Sequence, residues 1–405
     1  MIILKLMRES EFNMKVLVIS HMYPSSFNQM SGIFVHQQVK ALVNQGIEIK
    51  VVCPVPFSFF PLNIMNRKWK AYSQIPYSDE VDGIEVFYPR YIEFPRGLLM
   101  EYSGYSMYRG INKAIDKIYQ KFNFDIIHAH VALPDGFASM LISKKYNKPN
   151  IVTIHGQDLQ YTIFKNRGCK KKLYRVFNSI DKIITVSSKL KKIVKNEKFY
   201  SKISVINNGV DLSVFNESKK GDLRKDNKFL IISASNLIES KGIDLNIKAL
   251  SRIIKKYPNI MYYIIGEGEE RIKLENLVND LRLDNNVRFL GKLSHIEVIK
   301  YMNECDLYSM PSWQEGFGMV YIEAMACAKP VIAVYGEGIQ DAIDNGVNGI
   351  LVKPKDIESL ADAIELIIQN PNKAKIIGEN AKRTVTRNLT WEINAKRTIE
   401  VYKSL

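Results

Sequence analysis

The chain alternates short apolar runs with longer amphipathic stretches along most of its length. Runs at 15–20 (KVLVIS), 48–53, 84–87, 124–128, 150–154, 182–186 and 203–206 predict strands in the first half. Runs at 229–233, 260–265, 287–290, 306–309 and 330–334 predict them in the second. Between these, apolar residues recur every three or four positions, which predicts helices over 33–45, 105–121 and 135–146, then over 242–256, 269–281, 295–303, 319–327, 338–344, 356–369 and 372–386. Short Val- and Ile-rich strands followed by helices imply crossover connections, and so parallel sheets covered on both faces. The expected class is α/β, with two Rossmann-like domains in tandem. The pattern divides the chain into an extension at 1–13, a first domain at 14–213, a polar linker at 214–227 and a second domain at 228–388. A last helical pattern at 389–405 is expected to pack back on the first domain.

Composition narrows this picture. The chain has 405 residues, 46% hydrophobic and 24% charged, which excludes a disordered or collagen-like chain. The four cysteines, Cys53, Cys169, Cys305 and Cys327, have no C-x-x-C spacing, which excludes a zinc ribbon or disulfide scaffold and fits a reducing, cytoplasmic setting. Residues 1–13 lack the pattern of a secretory signal, and no stretch reaches the 18 or so apolar residues of a membrane span.

The net charge of +15 is unevenly placed. Residues 1–213 carry 30 Lys and Arg against 16 Asp and Glu, whereas residues 214–405 carry 27 against 26. Lys170, Lys171, Lys172 and Arg175, with Arg167, interleave with Leu173, Tyr174 and Phe177. Lys189, Lys191, Lys192, Lys195 and Lys198 share a helical pattern with Leu190, Ile193 and Val194. Basic amphipathic helices of this kind predict peripheral contact with an anionic membrane face; the bland alternative is two surface helices packed on a core. No basic-aromatic interleaving of the base-stacking kind occurs, so nucleic acid is not an expected partner.

The stretch 311–330, PSWQEGFGMVYIEAMACAKP, is the richest in chemistry. A strand ends at Pro311, a loop with Glu315 and two glycines follows, and a helix starts near Met319. Such a helix start offers unpaired N–H groups to phosphate. Glu315 in the loop can reach a sugar hydroxyl. Glu323, an acid inside an apolar run, needs a partner, and a ribose diol would serve. As ordinary residues, Glu315 would cap the helix and Glu323 would lie on the surface.

These residues resemble the retaining glycosyltransferases of the group 1, or family 4, type, whose two Rossmann-like domains face each other across a cleft in the GT-B fold. EGFGMVYIE matches that family's E-x7-E motif. PSSFNQMSGIFVHQQVKAL (24–42), DIIHAHVALPDG (125–136), TIHGQDL (153–159), INNGVD (206–211), LIESKG (237–242), IIGEGEE (264–270), VRFLG (287–291) and DNGVNGILV (344–352) follow in the family's order. The resemblance implies a UDP- or GDP-sugar donor, a saccharide or lipid-linked acceptor, and neither a cofactor nor a metal, in line with the lack of an Asp-x-Asp motif.

It further implies that Lys241 offsets the donor diphosphate, Glu323 holds the ribose and Glu315 binds the transferred sugar. Backbone N–H groups of Phe317, Gly318, Met319 and Val320 would line sugar and phosphate. Gly32 would admit the diphosphate to a helix start, and His155 would contact the sugar near its reacting carbon. His130 reads equally as an acceptor contact or a structural residue, and His36 and His295 read as structural. Two departures stand out. Asn236 occupies the place of an Arg usually paired with the lysine, and Glu337 stands where a second Gly is common, read as a change in acceptor or lid geometry.

Three rivals remain at this stage. A dinucleotide oxidoreductase would need G-x-G-x-x-G, and Gly266-Glu267-Gly268 continues to Arg271 instead. A nucleotide-sugar epimerase of the same fold would need no acceptor. A non-catalytic nucleotide-sugar-binding protein would have little use for the full set of Glu315, Glu323, Lys241 and His155.

Overall fold

The computed structural model describes residues 14–58, 60–94, 97–217 and 228–405. The expected extension at 1–13 and positions 218–227 of the expected linker lie outside them. The chain forms two compact units. One comprises the described residues up to Ile206 together with Trp391–Leu405; the other is Asn207–Thr390. Residues 207–213, read from sequence as part of the first domain, group with the second. Residues 212–217, the end of that domain and the start of the expected linker, form a helix, Leu212–Glu217.

Among the described residues, the first unit holds an eight-stranded sheet. Strand Lys15–Ile19 lies at its middle, with Ile126–His130, Asn150–Ile154, Lys182–Thr185 and Ile203–Val205 in succession on one side. On the other side lie Glu48–Val52, Ile84–Phe87 and Ser78–Val81. All pairs are parallel except the last, an antiparallel hairpin in which Ser78 faces Phe87. The SDEV segment of that hairpin was not read as a strand, because its exposed polar side chains give no apolar signal. The central strands are buried on both faces and mostly apolar, as cover by helices on both sides requires, with His128, His130, Asn150 and Thr153 the buried polar positions. The helix Met100–Phe122, five residues longer at its start than expected, buries Met107, Ile111, Ile115 and Ile118 against this sheet.

The C-terminal helix Trp391–Lys403 belongs to this unit by its bonds as well as its packing. Gln38 Nε2 donates to Asn394 Oδ1 at 2.6 Å, and Tyr402 shares a 2.7 Å hydrogen bond with His128 Nδ1. The expected amphipathic helix over 189–198 is only Ser188–Ile193. Leu190 and Val194 are buried in the unit, and Lys191 Nζ donates to the Ile203 carbonyl.

Among the described residues, the second unit holds a six-stranded parallel sheet in the order Val287–Gly291, Ile260–Ile265, Phe229–Ala234, Leu307–Ser309, Val331–Val334 and Ile350–Val352. The last strand was missed because its apolar run is only three residues long. The segment 338–344 forms a single tight turn, Gly338–Asp341, rather than a helix. The sheet centre carries a buried polar knot. Asn246 Nδ2 donates to the Ser309 carbonyl at 2.9 Å and to Tyr262 Oη at 3.0 Å, while Ser309 Oγ donates to Asn246 Oδ1 at 2.7 Å. Asn246 is 2% exposed, and with its 3.2 Å bond to Ser233 Oγ these contacts pin the helix Ile243–Ile253 to three adjacent strands. Replacing Asn246 by Ala strands these partners away from water. It is expected to cost about 2 kcal/mol and lower the urea unfolding midpoint. An unchanged midpoint contradicts a structural role for the knot.

Candidate active site

In the second unit the strand order reverses between Phe229–Ala234 and Leu307–Ser309, whose successors lie on opposite sides. The loops leaving their C-terminal ends must diverge there, which opens a crevice at the sheet edge. Lys241 comes from the first of these loops and Glu315 from the second. Backbone bonds seam the two together. Trp313 N–H donates to the Ser240 carbonyl at 3.0 Å, and Ser312 Oγ donates to the same oxygen at 2.9 Å. At Gly242 the backbone is left-handed, φ 68°, and a Cβ would lie 2.5 Å from the Pro311 carbonyl oxygen, so only glycine permits this approach.

The seam brings Lys241 Nζ into an ion pair with Glu315 Oε1, the two side chains being 19% and 10% exposed. Glu337 is buried and accepts the Glu315 N–H at 2.6 Å. The sequence reading of Glu337 as lid or acceptor variation is therefore corrected: its carboxylate fixes the loop that presents Glu315.

The helix Met319–Ala326 begins at Gly318, φ 94°, and no side chain caps it. Met319 and Val320 form its first turn and Phe317 is buried beneath the loop. Glu323 lies one turn in and is 12% exposed; its Oε1 accepts a 3.0 Å bond from His295 Nε2. His295 opens the helix His295–Glu304, behind a Ser294–Glu297 capping box. It was read from sequence as merely structural. It is instead the partner that Glu323 needed, and the hydrogen bond to that carboxylate, opposed by partial burial, raises its pKa. Asn236 is exposed on the loop after Phe229–Ala234. Its neighbour Leu237 is held by Glu267 and Glu270 backbone groups at 2.9 and 3.1 Å. A Cβ at Gly268 would lie 2.2 Å from the Leu237 carbonyl oxygen. The GEGEE run is thus glycine-rich for close loop packing.

The first unit repeats the device. Its order reverses between Lys15–Ile19 and Ile126–His130. His128, His130 and His155 stack in series, with ring centroids 4.6 and 5.3 Å apart, and His130 Nδ1 shares a 3.1 Å bond with His155 Nε2. Burial holds all three imidazoles neutral, with His128 and His155 pushed down to about 3. His130 is fully buried. Phe34, from the helix that Gly32 starts, packs 4.6 Å from the His155 ring, so Gly32 and His155 belong to one neighbourhood. A Cβ at Gly32, φ 58°, would lie 2.1 Å from the Met22 carbonyl oxygen. This glycine is required by the backbone itself, so a bulky substitution there would disturb the loop whatever it binds. His36 is structural, bonded to Tyr23 Oη at 2.8 Å and Asp82 Oδ2 at 3.1 Å.

Sequence reasoning missed two acids and a histidine here. His21 pairs with buried Asp135 through its backbone N–H at 2.7 Å and through Nδ1. Asp158 is fully buried, and burial raises its pKa to about 7 against the pull of the Ala132 and Leu133 N–H groups. Both acids stood inside quoted motifs, but nothing in the spacing paired them.

The basic segment forms the helix Arg167–Ser179, and its apolar side is spent on the core. Leu173 and Phe177 are buried, Lys172 Nζ lies 4.5 Å from the Tyr105 ring, and Arg175 donates to Tyr105 Oη at 2.9 Å. Among the described residues, no helix is long and apolar enough to cross a membrane.

Residues 31–214 match glycosyltransferase family 4 and residues 214–384 match glycosyl transferases group 1. An uncharacterized glycosyltransferase of Methanocaldococcus jannaschii is 34% identical over 74% of this chain and 82% of its own length. TuaC of Bacillus subtilis, a glycosyltransferase named for teichuronic acid biosynthesis, is 29% identical over 97% of this chain and 99% of its own. The crystal structure of Anabaena HepE in complex with UDP superposes with a TM-score of 0.73 at 20% identity, over 97% of this chain and 100% of that one. Together with the two parallel-sheet units, these matches show that the chain belongs to the group 1 glycosyltransferases of the GT-B fold.

The His295–Glu323 pair sets a pH test. A raised histidine pKa gives stability that is full below its ordinary value of 6.5 and is lost as pH rises through the raised value. His295→Gln keeps a donor but no charge. The excess stability of the wild type over this variant is therefore expected at about pH 6 and should vanish in alkaline solution. A difference in thermal midpoint that does not change with pH contradicts the pairing.

Proposed function

We propose that the protein transfers a hexose-type sugar, with retention, from a UDP- or GDP-sugar to a hydroxyl of a saccharide or lipid-linked acceptor in the synthesis of a cell-surface polysaccharide or glycolipid. The observation that carries this reading is the second unit's crevice, where Lys241 meets Glu315 across one loop seam and the same loop leads into the open helix start at Gly318 and on to Glu323. The HepE complex with UDP and the name of TuaC support the donor and acceptor classes.

In this reading the chemistry follows from charge. The leaving nucleoside diphosphate gains negative charge as the bond to the sugar breaks. Lys241 and the first-turn N–H groups of Met319–Ala326 offset it without reorganisation. Glu323, held by His295, accepts the ribose hydroxyls. Glu315, fixed by Glu337, orients the transferred sugar, with the Phe317, Gly318, Met319 and Val320 backbone around it. Asn236, in place of a second cation, leaves Lys241 as the main counter-charge. On the first unit, His155 takes the contact near the reacting carbon and Gly32 the approach to phosphate. A neutral His155 contributes a hydrogen bond rather than a charge. The acceptor's proton leaves with the phosphate oxygen on the same face, so no second carboxylate and no divalent ion are required. Membrane contact rests on charge alone, through exposed Arg167, Lys170 and Lys171, and sedimentation with anionic liposomes at rising salt checks it.

Glu315→Gln is expected to slow transfer on the order of a hundredfold with little change in nucleotide affinity, and Glu323→Gln to weaken nucleotide binding chiefly. Initial rates with a radiolabelled nucleotide sugar, alongside a melting curve, separate the two effects. Wild-type rates from a folded Glu315→Gln protein would remove the proposal.

A further inference from the structure

We propose that the first unit's switch point seats a neutral oligosaccharide, held by a hydroxyl that donates to His21 Nε2. This inference rests on the transferase reading and names its acceptor class. His21 follows the strand Lys15–Ile19, and Asp135 follows Ile126–His130, so their bond ties together the two loops that diverge where the strand order reverses. Asp135, with no exposed surface, takes both the His21 N–H and Nδ1, which fixes the ring in one orientation. The opposite nitrogen, Nε2, has no protein partner among the described residues, and the side chain is 32% exposed. Val131, a β-branched residue at φ 75°, marks backbone strain on the same loop.

Two cavities, of about 350 and 630 Å³, meet at His21, Tyr91, Glu93 and Phe94. Both volumes are in the range of ligand sites, ~300–1,000 Å³. The larger adds Tyr23, Phe27, Trp69 and Tyr72 to its walls, and the smaller adds Tyr102. Aromatic walls with scattered hydrogen-bonding groups suit pyranose rings, which present C–H faces and hydroxyl edges. Two lobes sharing one floor suit more than one ring.

The charges around His21 disfavour an anionic ligand. Asp135, Glu93 and Asp158 all face it. Lys165, the cation lining the smaller cavity, is held by the Gly97 carbonyl at 2.8 Å. Lys68 lines the far lobe. Burial pulls the His21 pKa down, but Asp135, Glu93 and Asp158 outweigh it, and the net shift is upward. Only the neutral imidazole accepts a hydroxyl proton, so this bond is lost as pH drops through a value above 6.5 and Nε2 gains a proton.

The test uses the full chain on an array of neutral tri- to hexasaccharides beside their uronate and phosphate counterparts. The wild type should retain at least one neutral oligosaccharide, and His21→Ala and His21→Gln should bind it at least tenfold more weakly. Asp135→Asn keeps the shape, but its oxygen takes the His21 N–H and its NH2 then faces Nδ1, which moves the ring proton to Nε2, so this variant should bind at least tenfold more weakly as well. Retention of no neutral glycan, retention of acidic glycans only, or wild-type binding by the His21 variants or by Asp135→Asn overturns the inference. Thermal stabilisation by UDP and GDP is measured on the same preparations. Its persistence in the His21 variants shows the loss to be local, whereas its absence in the wild type counts against the transferase reading instead.

Discussion

A parallel strand cannot return to its neighbour through a tight turn, and the crossover it needs leaves the C-terminal strand ends open wherever the order reverses. This constraint acts once in each unit, between Lys15–Ile19 and Ile126–His130 and between Phe229–Ala234 and Leu307–Ser309. Lys241, Glu315, Glu323, Gly32, His21 and Asp135 sit on loops leaving these four strands or on the helices that follow, and His155 leaves the neighbouring strand Asn150–Ile154. The loops would wander without cross-ties. Ser240 with Trp313 and Ser312 in one unit, and His21 with Asp135 in the other, fix them through main-chain groups.

The electrostatics follow the same economy. Both candidate acids of the second unit's crevice have a resident partner: Lys241 for Glu315 and His295 for Glu323. A bound diphosphate would share Lys241 with Glu315, so the lysine is oriented before any ligand arrives. In the first unit, burial keeps the stack of His128, His130 and His155 neutral, while the carboxylates around His21 keep that ring basic. Two imidazole environments therefore lie within one sheet edge, one set by desolvation and one by charge.

Much of this was legible in the sequence. The central strands read directly, because strands buried on both faces are continuous apolar runs. Glu315 and Glu323 stood out because each breaks an apolar or glycine pattern, whereas Lys241 was singled out only by the family resemblance. What escaped had no local signature. His21 and Asp135 are 114 residues apart, and His295 and Glu323 are 28 apart, so only the fold brings them together. Ser78–Val81 is polar because it closes an exposed edge, and Leu190 and Val194 looked like a membrane-facing stripe because the same apolar spacing serves a core. Glu337 was misplaced for a subtler reason: its partner is a backbone N–H, which leaves no trace in side-chain pattern.

The claim on which the account turns is that the second unit's crevice binds a nucleoside diphosphate through Glu323 and the helix start at Gly318. Isothermal titration calorimetry with UDP and with GDP tests it directly. The account predicts saturable one-site binding of at least one of them to the wild type, at least tenfold weaker in Glu323→Gln. Binding of neither nucleotide, or equal affinity in the wild type and a folded Glu323→Gln protein, would contradict it.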